Sequence, residues 1–251
     1  MHRLLLLAAL FVSPAMAQYR TQALTVSSSV DTAAHIADGE GWSTEIVLVN
    51  VDDKPVGYAI DFFQDNGTAL QVPFQNLGMQ SRLTGSLPLL GTVTYKTVGT
   101  SFPVVQGWAR LDMNGYVGGM VIFKRSQAGL PNFEGVVPFD RAFSNRQVLP
   151  FDHTGGIVTG LALVNPSNFS TYTATLNFRD QNGVVFHSAE ITLGPRNHKA
   201  FVVPVEYPQT ANRTGLLEII VPGFGSFGAL GLRTATTGPF TTIFPLEGLT
   251  W

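Results

Sequence analysis

The stretch 41–50, GWSTEIVLVN, alternates along its length, with Trp42, Thr44, Ile46 and Leu48 in one set and Ser43, Glu45, Val47 and Val49 in the other. Side chains of a strand point alternately to opposite faces, so this pattern predicts a β-strand with its large apolar set turned to a core. The same phrase returns at 156–165 as GIVTGLALVN, where Ile157, Thr159, Leu161 and Leu163 take the core-facing places. The opposite set, which includes Glu45 and Gly160, is expected to be the more exposed face.

The echo extends along the chain and predicts an internal duplication. Ile36 matches Phe151, and Phe63 matches Phe178. Asp65-Asn66-Gly67 matches Asp180-Gln181-Asn182-Gly183 with one residue inserted. Further on, Arg82 falls on Arg196, Gly107 on Gly215, Trp108 on Leu216 and Lys124 on Arg233. Further strands are expected near 58–64, 104–113, 117–125, 172–179, 216–221 and 229–234, divided by Asn-Gly and other turn signals. No segment carries a helical period of useful length. The expected fold class is all-β, as two tandem Ig-like or jelly-roll-like β-sandwich domains: repeat 1 at 34–140, a linker at 141–148 and repeat 2 at 149–251.

Residues 1–17 stand apart from this pattern. His2 and Arg3 precede an apolar run from Leu4 to Val12, and Ala15-Met16-Ala17 offers the small residues of a cleavage site, so a signal peptide ending at Ala17 is expected. Residues 18–33 would then form an arm or an extra strand, and no transmembrane segment would survive cleavage. The secreted, periplasmic or cell-surface setting this implies has to be met without disulfides, since the chain holds no cysteine. Charged residues are 13% of the chain and the net charge is −2, with no basic run, which removes nucleic acid as a partner. The spans "ADGEGW…LVN" and "DNG" within 37–67 resemble an uncharacterised family of secreted bacterial proteins with tandem β-sandwich repeats. That resemblance implies export and an all-β fold, and brings no catalytic residue with it.

Candidate chemistry is thin. Residues 223–228 spell GxGxxG, but the following segment reads as a strand and not as the helix a dinucleotide site needs. His35, His153, His187 and His198 show no metal-ligand spacing. A loop cluster of His35, Asp38 and Glu40 with Asp152 and His153 could offer oxygen ligands to calcium, but reads better as turns, so no metal and no cofactor is expected. No nucleophile elbow or recognisable triad occurs, and no catalytic residue is assigned. Trp42 and Trp108 align with aliphatic residues and are expected in the core, whereas Tyr116 and Phe224 lie among glycines at matching hairpin tips and are the candidate binding residues. The reading is a non-catalytic exported structural or binding protein, with a polysaccharide or another surface protein as partner. The alternatives are a two-domain periplasmic assembly chaperone and a secreted hydrolase whose site is not visible in sequence.

Overall fold

The computed structural model describes residues 29–126, 128–129, 131–140, 144–223, 225–235 and 239–247. The expected signal peptide, Phe224 and most of the expected arm lie outside the described residues. The first half contributes β1 (Ser29–Asp38), β2 (Trp42–Asn50), β3 (Val56–Phe63), β4 (Val72–Phe74), β5 (Gly78–Gln80), β6 (Arg82–Leu87), β7 (Thr92–Lys96), β8 (Val105–Met113), β9 (Val117–Arg125) and β10 (Phe133–Pro138). The second half contributes β11 (Arg146–Asp152), β12 (Ile157–Val164), β13 (Tyr172–Arg179), β14 (Val185–Leu193), β15 (His198–Val202), β16 (Thr214–Ile220), β17 (Gly228–Ala235), β18 (Phe240–Ile243) and β19 (Leu246–Glu247). One short helix, α1 (Val203–Glu206), follows β15. Among the described residues no helix is long and apolar enough to cross a membrane.

The chain is all-β, and the strand order of the first half recurs in the second. Sheets β1-β8-β3-β6 and β10-β9-β2-β7 face each other in the first half. Sheets β11-β16-β13-β14 and β18-β17-β12-β15 do so in the second, with β19 added outside β11. The alternation read in β2 is real: Thr44, Ile46 and Leu48 are buried, as are Thr159, Leu161 and Leu163 of β12. The strand after Gly-Phe-Gly-Ser-Phe-Gly is β17, as its sequence suggested.

Strand pairing corrects several of the residue matches. Phe63 pairs with Trp108, and a Cβ on the adjacent Gly107 would lie 2.1 Å from the Phe63 carbonyl; a Cβ on Gly215 would lie 2.0 Å from that of Arg179. Phe63 therefore corresponds to Arg179, and the buried Phe178 corresponds to the buried Phe62. The inserted residue sits in the loop after Asn165, not in the Asn-Gly turn, because Asn50 binds the carbonyl of Lys54 and Asn165 that of Ser170. Arg82 opposes Asp61 as Ser188 opposes Asn177, so Arg196 is not its counterpart. Arg196 instead matches Leu90, and both take φ 58°. The hairpin β4-β5 occupies the stretch by which the first half is longer. β1 begins at Ser29, within the stretch expected as an arm or an extra strand, and β11 begins at Arg146, within the expected linker.

The halves are fused through apolar contact. One continuous core joins Ile46, Trp108 and Phe123 of the first half to Ala162, Val164, Leu230 and Phe240 of the second. The face of β12 that was expected to be the more exposed is covered here by β1, which also packs on β17. Thr242 Oγ1 adds a hydrogen bond to the Val136 carbonyl, 3.0 Å away, tying β18 to β10.

Candidate functional site

A cavity of about 330 Å³ opens at the junction of the two halves. Trp42, Val104 and Phe123 line it from the first half, and Ala162, Phe201 and Leu232 from the second. Gly160 and Ala200 also line it, and their small side chains leave the space that larger residues would fill. Two polar lining groups, Glu40 and Gln106, are exposed and mark the solvent side. The third is His35, which is partly buried.

A bulge delivers His35 to this place. Ala33 pairs with Ala109 but Ile36 with Gly107, so β1 carries one extra residue against β8 between those pairs. Such a bulge re-aims side chains. Ala33, Ala34, Ile36 and Ala37 are all buried while His35 turns to the second half. The β11-β16 pairing runs without a register shift, so the second half has no equivalent device.

His35 ends a chain of three groups that crosses the junction. Its Nδ1 lies 3.4 Å from Nε2 of His198, and Nδ1 of His198 lies 2.7 Å from Oδ1 of Asp65. The His198 backbone N–H also donates to the Asp65 carbonyl at 3.0 Å. Asp65 sits in the turn after β3, where Gly67 has φ 79°. That glycine is doubly constrained, since a Cβ would meet the Pro195 carbonyl at 2.6 Å. Next to it, the Trp108 indole N–H donates to the Arg196 carbonyl at 2.8 Å, anchoring the turn before β15 on the first half.

Burial and the neighbouring His198 push His35 down to about 3, with Asp65 pulling weakly the other way. The hydrogen bond from His198 holds the Asp65 carboxyl below the usual carboxylate range, against the opposing effect of burial. His35 is thus neutral near neutral pH and too weak a base to draw a proton from a substrate, for which a value near the working pH is needed. The arrangement can accept or donate a hydrogen bond inside an apolar cavity.

Of the two candidate binding residues read from sequence, Tyr116 is the one that falls within the described residues. Tyr116 is half-buried and is not part of the cavity. Its N–H donates to the Asp52 carboxylate at 3.0 Å and its carbonyl accepts from Val51 at 3.1 Å, so it is fixed in the loop before β9. By strand register Val117 corresponds to Phe227, which pairs Tyr116 with Ser226 and not with Phe224. Phe224 lies outside the described residues. Trp108 is fully buried, as expected, but Trp42 is half-buried and forms a cavity wall, 4.9 Å from Phe240. The loop acids do not converge: Asp38 accepts from Gly99 and Ser101, and Asp152 from Thr154 and Arg233. Among the described residues no three His, Asp or Glu side chains gather as metal ligands do.

His35 was visible in the sequence, but with the wrong partners. The available signal was the outer face of the repeated strand, where Ser43 and Glu45 of the first half are replaced by Val158 and Gly160 of the second. A strand apolar on both faces is covered on both. Comparison with protein-family models, with characterised proteins and with solved structures gives no match for this chain.

Proposed function

We propose that this chain is an exported, non-catalytic binding protein that holds a small, largely apolar molecule at the junction of its two sandwiches. The observation that carries the reading is the cavity itself, walled by side chains of both halves and placed where ligand sites commonly form, between packed units. Its size falls at the lower end of the range for small-molecule sites, about 300–1,000 Å³. The weak basicity of His35 supports binding over proton-transfer chemistry. The apolar run and small-residue site at 4–17, and the absence of cysteine, support export of a fold that needs no disulfide. A polysaccharide suits these walls poorly, because its hydroxyls would be buried without partners.

The test uses N-phenylnaphthylamine, whose fluorescence rises in apolar surroundings. The protein should bind it saturably, and Gly160→Phe should abolish binding while leaving the circular dichroism and melting unchanged. That substitution is suitable because a Cβ on Gly160 meets nothing closer than 3.7 Å. Undiminished binding by a folded Gly160→Phe protein would place the ligand site elsewhere.

A further inference from the structure

We propose that the cavity selects apolar molecules that carry a hydrogen-bond donor, an alcohol above all, and that the donor is received by Nε2 of His35. The inference rests on the cavity being a ligand site and names the chemistry of what fills it. Its basis is the direction of the proton chain. An ionised carboxylate only accepts, so the Asp65 contact at 2.7 Å fixes a proton on Nδ1 of His198. With that ring neutral, its Nε2 is an acceptor. The nitrogen facing it, Nδ1 of His35, must then donate across the 3.4 Å gap, and the two ring planes differ by only 26°. A neutral imidazole has one N–H, so Nε2 of His35 is left with a lone pair. Among the described residues nothing in the protein donates to it.

The consequence is an acceptor set among the apolar walls, apart from Glu40 and Gln106 on the solvent side. A ligand that leaves this nitrogen unpaired forfeits a hydrogen bond on a desolvated group, whereas one that donates to it restores the bond. An ether or alkane would fill the same volume without that gain. An engineered cavity of about 150 Å³ holds benzene, so the 330 Å³ here accommodates an eight-carbon chain or a two-ring molecule. Asp65 touches no ligand and acts as a positioning residue, by fixing which nitrogen of His198, and through it of His35, carries the proton.

The experiment measures displacement of N-phenylnaphthylamine by octanol and by heptyl methyl ether, isomers that differ in having or lacking a donor. The wild-type protein should prefer octanol by about tenfold, the order expected for one buried hydrogen bond. His35→Phe should bring the two competitors near parity. Asp65→Ala, remote from the cavity wall, should do the same, because His198 is then free to protonate at Nε2 and turn His35 into a donor toward the ligand. Asp65→Asn keeps an acceptor oxygen and should keep the preference. A preference for octanol that survives both His35→Phe and Asp65→Ala overturns the acceptor role while leaving the cavity as the site. Should His35→Phe fail to fold, the Asp65 pair decides alone: equal selectivity in Asp65→Ala and Asp65→Asn overturns the proposal. Failure of dye and both competitors to bind the wild type overturns this inference and the binding function together.

Discussion

Asn50 and Asn165 are fully buried at equivalent ends of β2 and β12 and make the same set of contacts. Nδ2 of Asn50 lies 2.8–3.0 Å from the carbonyls of Lys54, Leu87 and Pro88, and its Oδ1 accepts from Asp52 N–H at 2.8 Å. Nδ2 of Asn165 lies 2.8–3.0 Å from the carbonyls of Ser170, Leu193 and Gly194, and its Oδ1 accepts from Ser167 N–H at 3.0 Å. Each amide therefore pins the loop that follows its strand to the turn that ends β6 or β14. The repeated "LVN" ends on a residue that acts as an internal loop clamp, not merely as a turn former.

Replacement of either asparagine by alanine strands several buried carbonyls and one N–H. Each of Asn50→Ala and Asn165→Ala should cost about 2–4 kcal/mol of stability, from lost bonds at roughly 1 kcal/mol each plus the desolvated groups left behind. Asp is the sharper control. It matches the shape but presents only acceptors to the carbonyls, so Asn50→Asp should be at least as damaging near neutral pH. Denaturant unfolding of the three variants checks this; a cost below about 1 kcal/mol for either alanine variant would contradict the clamp.

The covered face gives a second prediction, from a pair of equivalent positions with opposite surroundings. Met120 and Leu230 hold the same place in β9 and β17 by register with Val47 and Ala162, yet Met120 is 37% exposed and Leu230 only 6%. Leu230→Ala should cost about 2–3 kcal/mol and Met120→Ala less than about 1 kcal/mol. Because Leu230 belongs to the core shared by both halves, unfolding should occur in one transition when followed from probes in either half. The first half's own outer face carries Glu45 with Lys96 and Lys124 at 3.3 and 3.1 Å, a charged surface that does not receive a further sandwich.

The strands were legible because alternation is a local property, and Thr44, Ile46 and Leu48 declare a core face within a few residues. Matching by letters misled where a loop had absorbed a residue. Phe63 was matched to Phe178 across the longer loop after Asn165, although the pairing with β8 and β16 sets Phe62 against it. The same error paired Tyr116 with Phe224. The cavity was illegible for a different reason. Its residues come from strands far apart in the chain, and His35, Asp65 and His198 are joined by a bulge, a turn and a docking angle that no short window contains. What the sequence did carry was the change from Ser43 and Glu45 to Val158 and Gly160, a change of face chemistry that marks burial without saying against what.

The last prediction concerns pH and the carboxyl of Asp140, beside the junction. Its backbone pairs with Thr32 of β1 in both directions at 2.8 Å, while Oδ2 is buried without a partner among the described residues. Burial, and then the charges of Glu247 and Asp31, push this carboxyl up to about 6. An unfolded aspartate titrates near 3.9. Between those two values the folded protein binds the proton more tightly than the unfolded chain, so stability contributed by this group is present below about pH 4 and is lost as pH rises through about 6. Near neutral pH the ionised group is a net cost. Asp140→Asn removes the charge and should raise stability at about pH 7 by about 1–2 kcal/mol, less than the full displacement implies because the group is partly exposed and screened by water. At about pH 4 the same change should be close to neutral, since the wild-type carboxyl is already protonated there. His35 acts with the opposite sign: its depressed value means that its contribution is present above the ordinary imidazole range and is lost as pH falls, so the comparison must be between variant and wild type at each pH. Denaturant unfolding at both pH values tests it, and an Asp140→Asn protein less stable than wild type at neutral pH would show that the carboxylate there is favourably held.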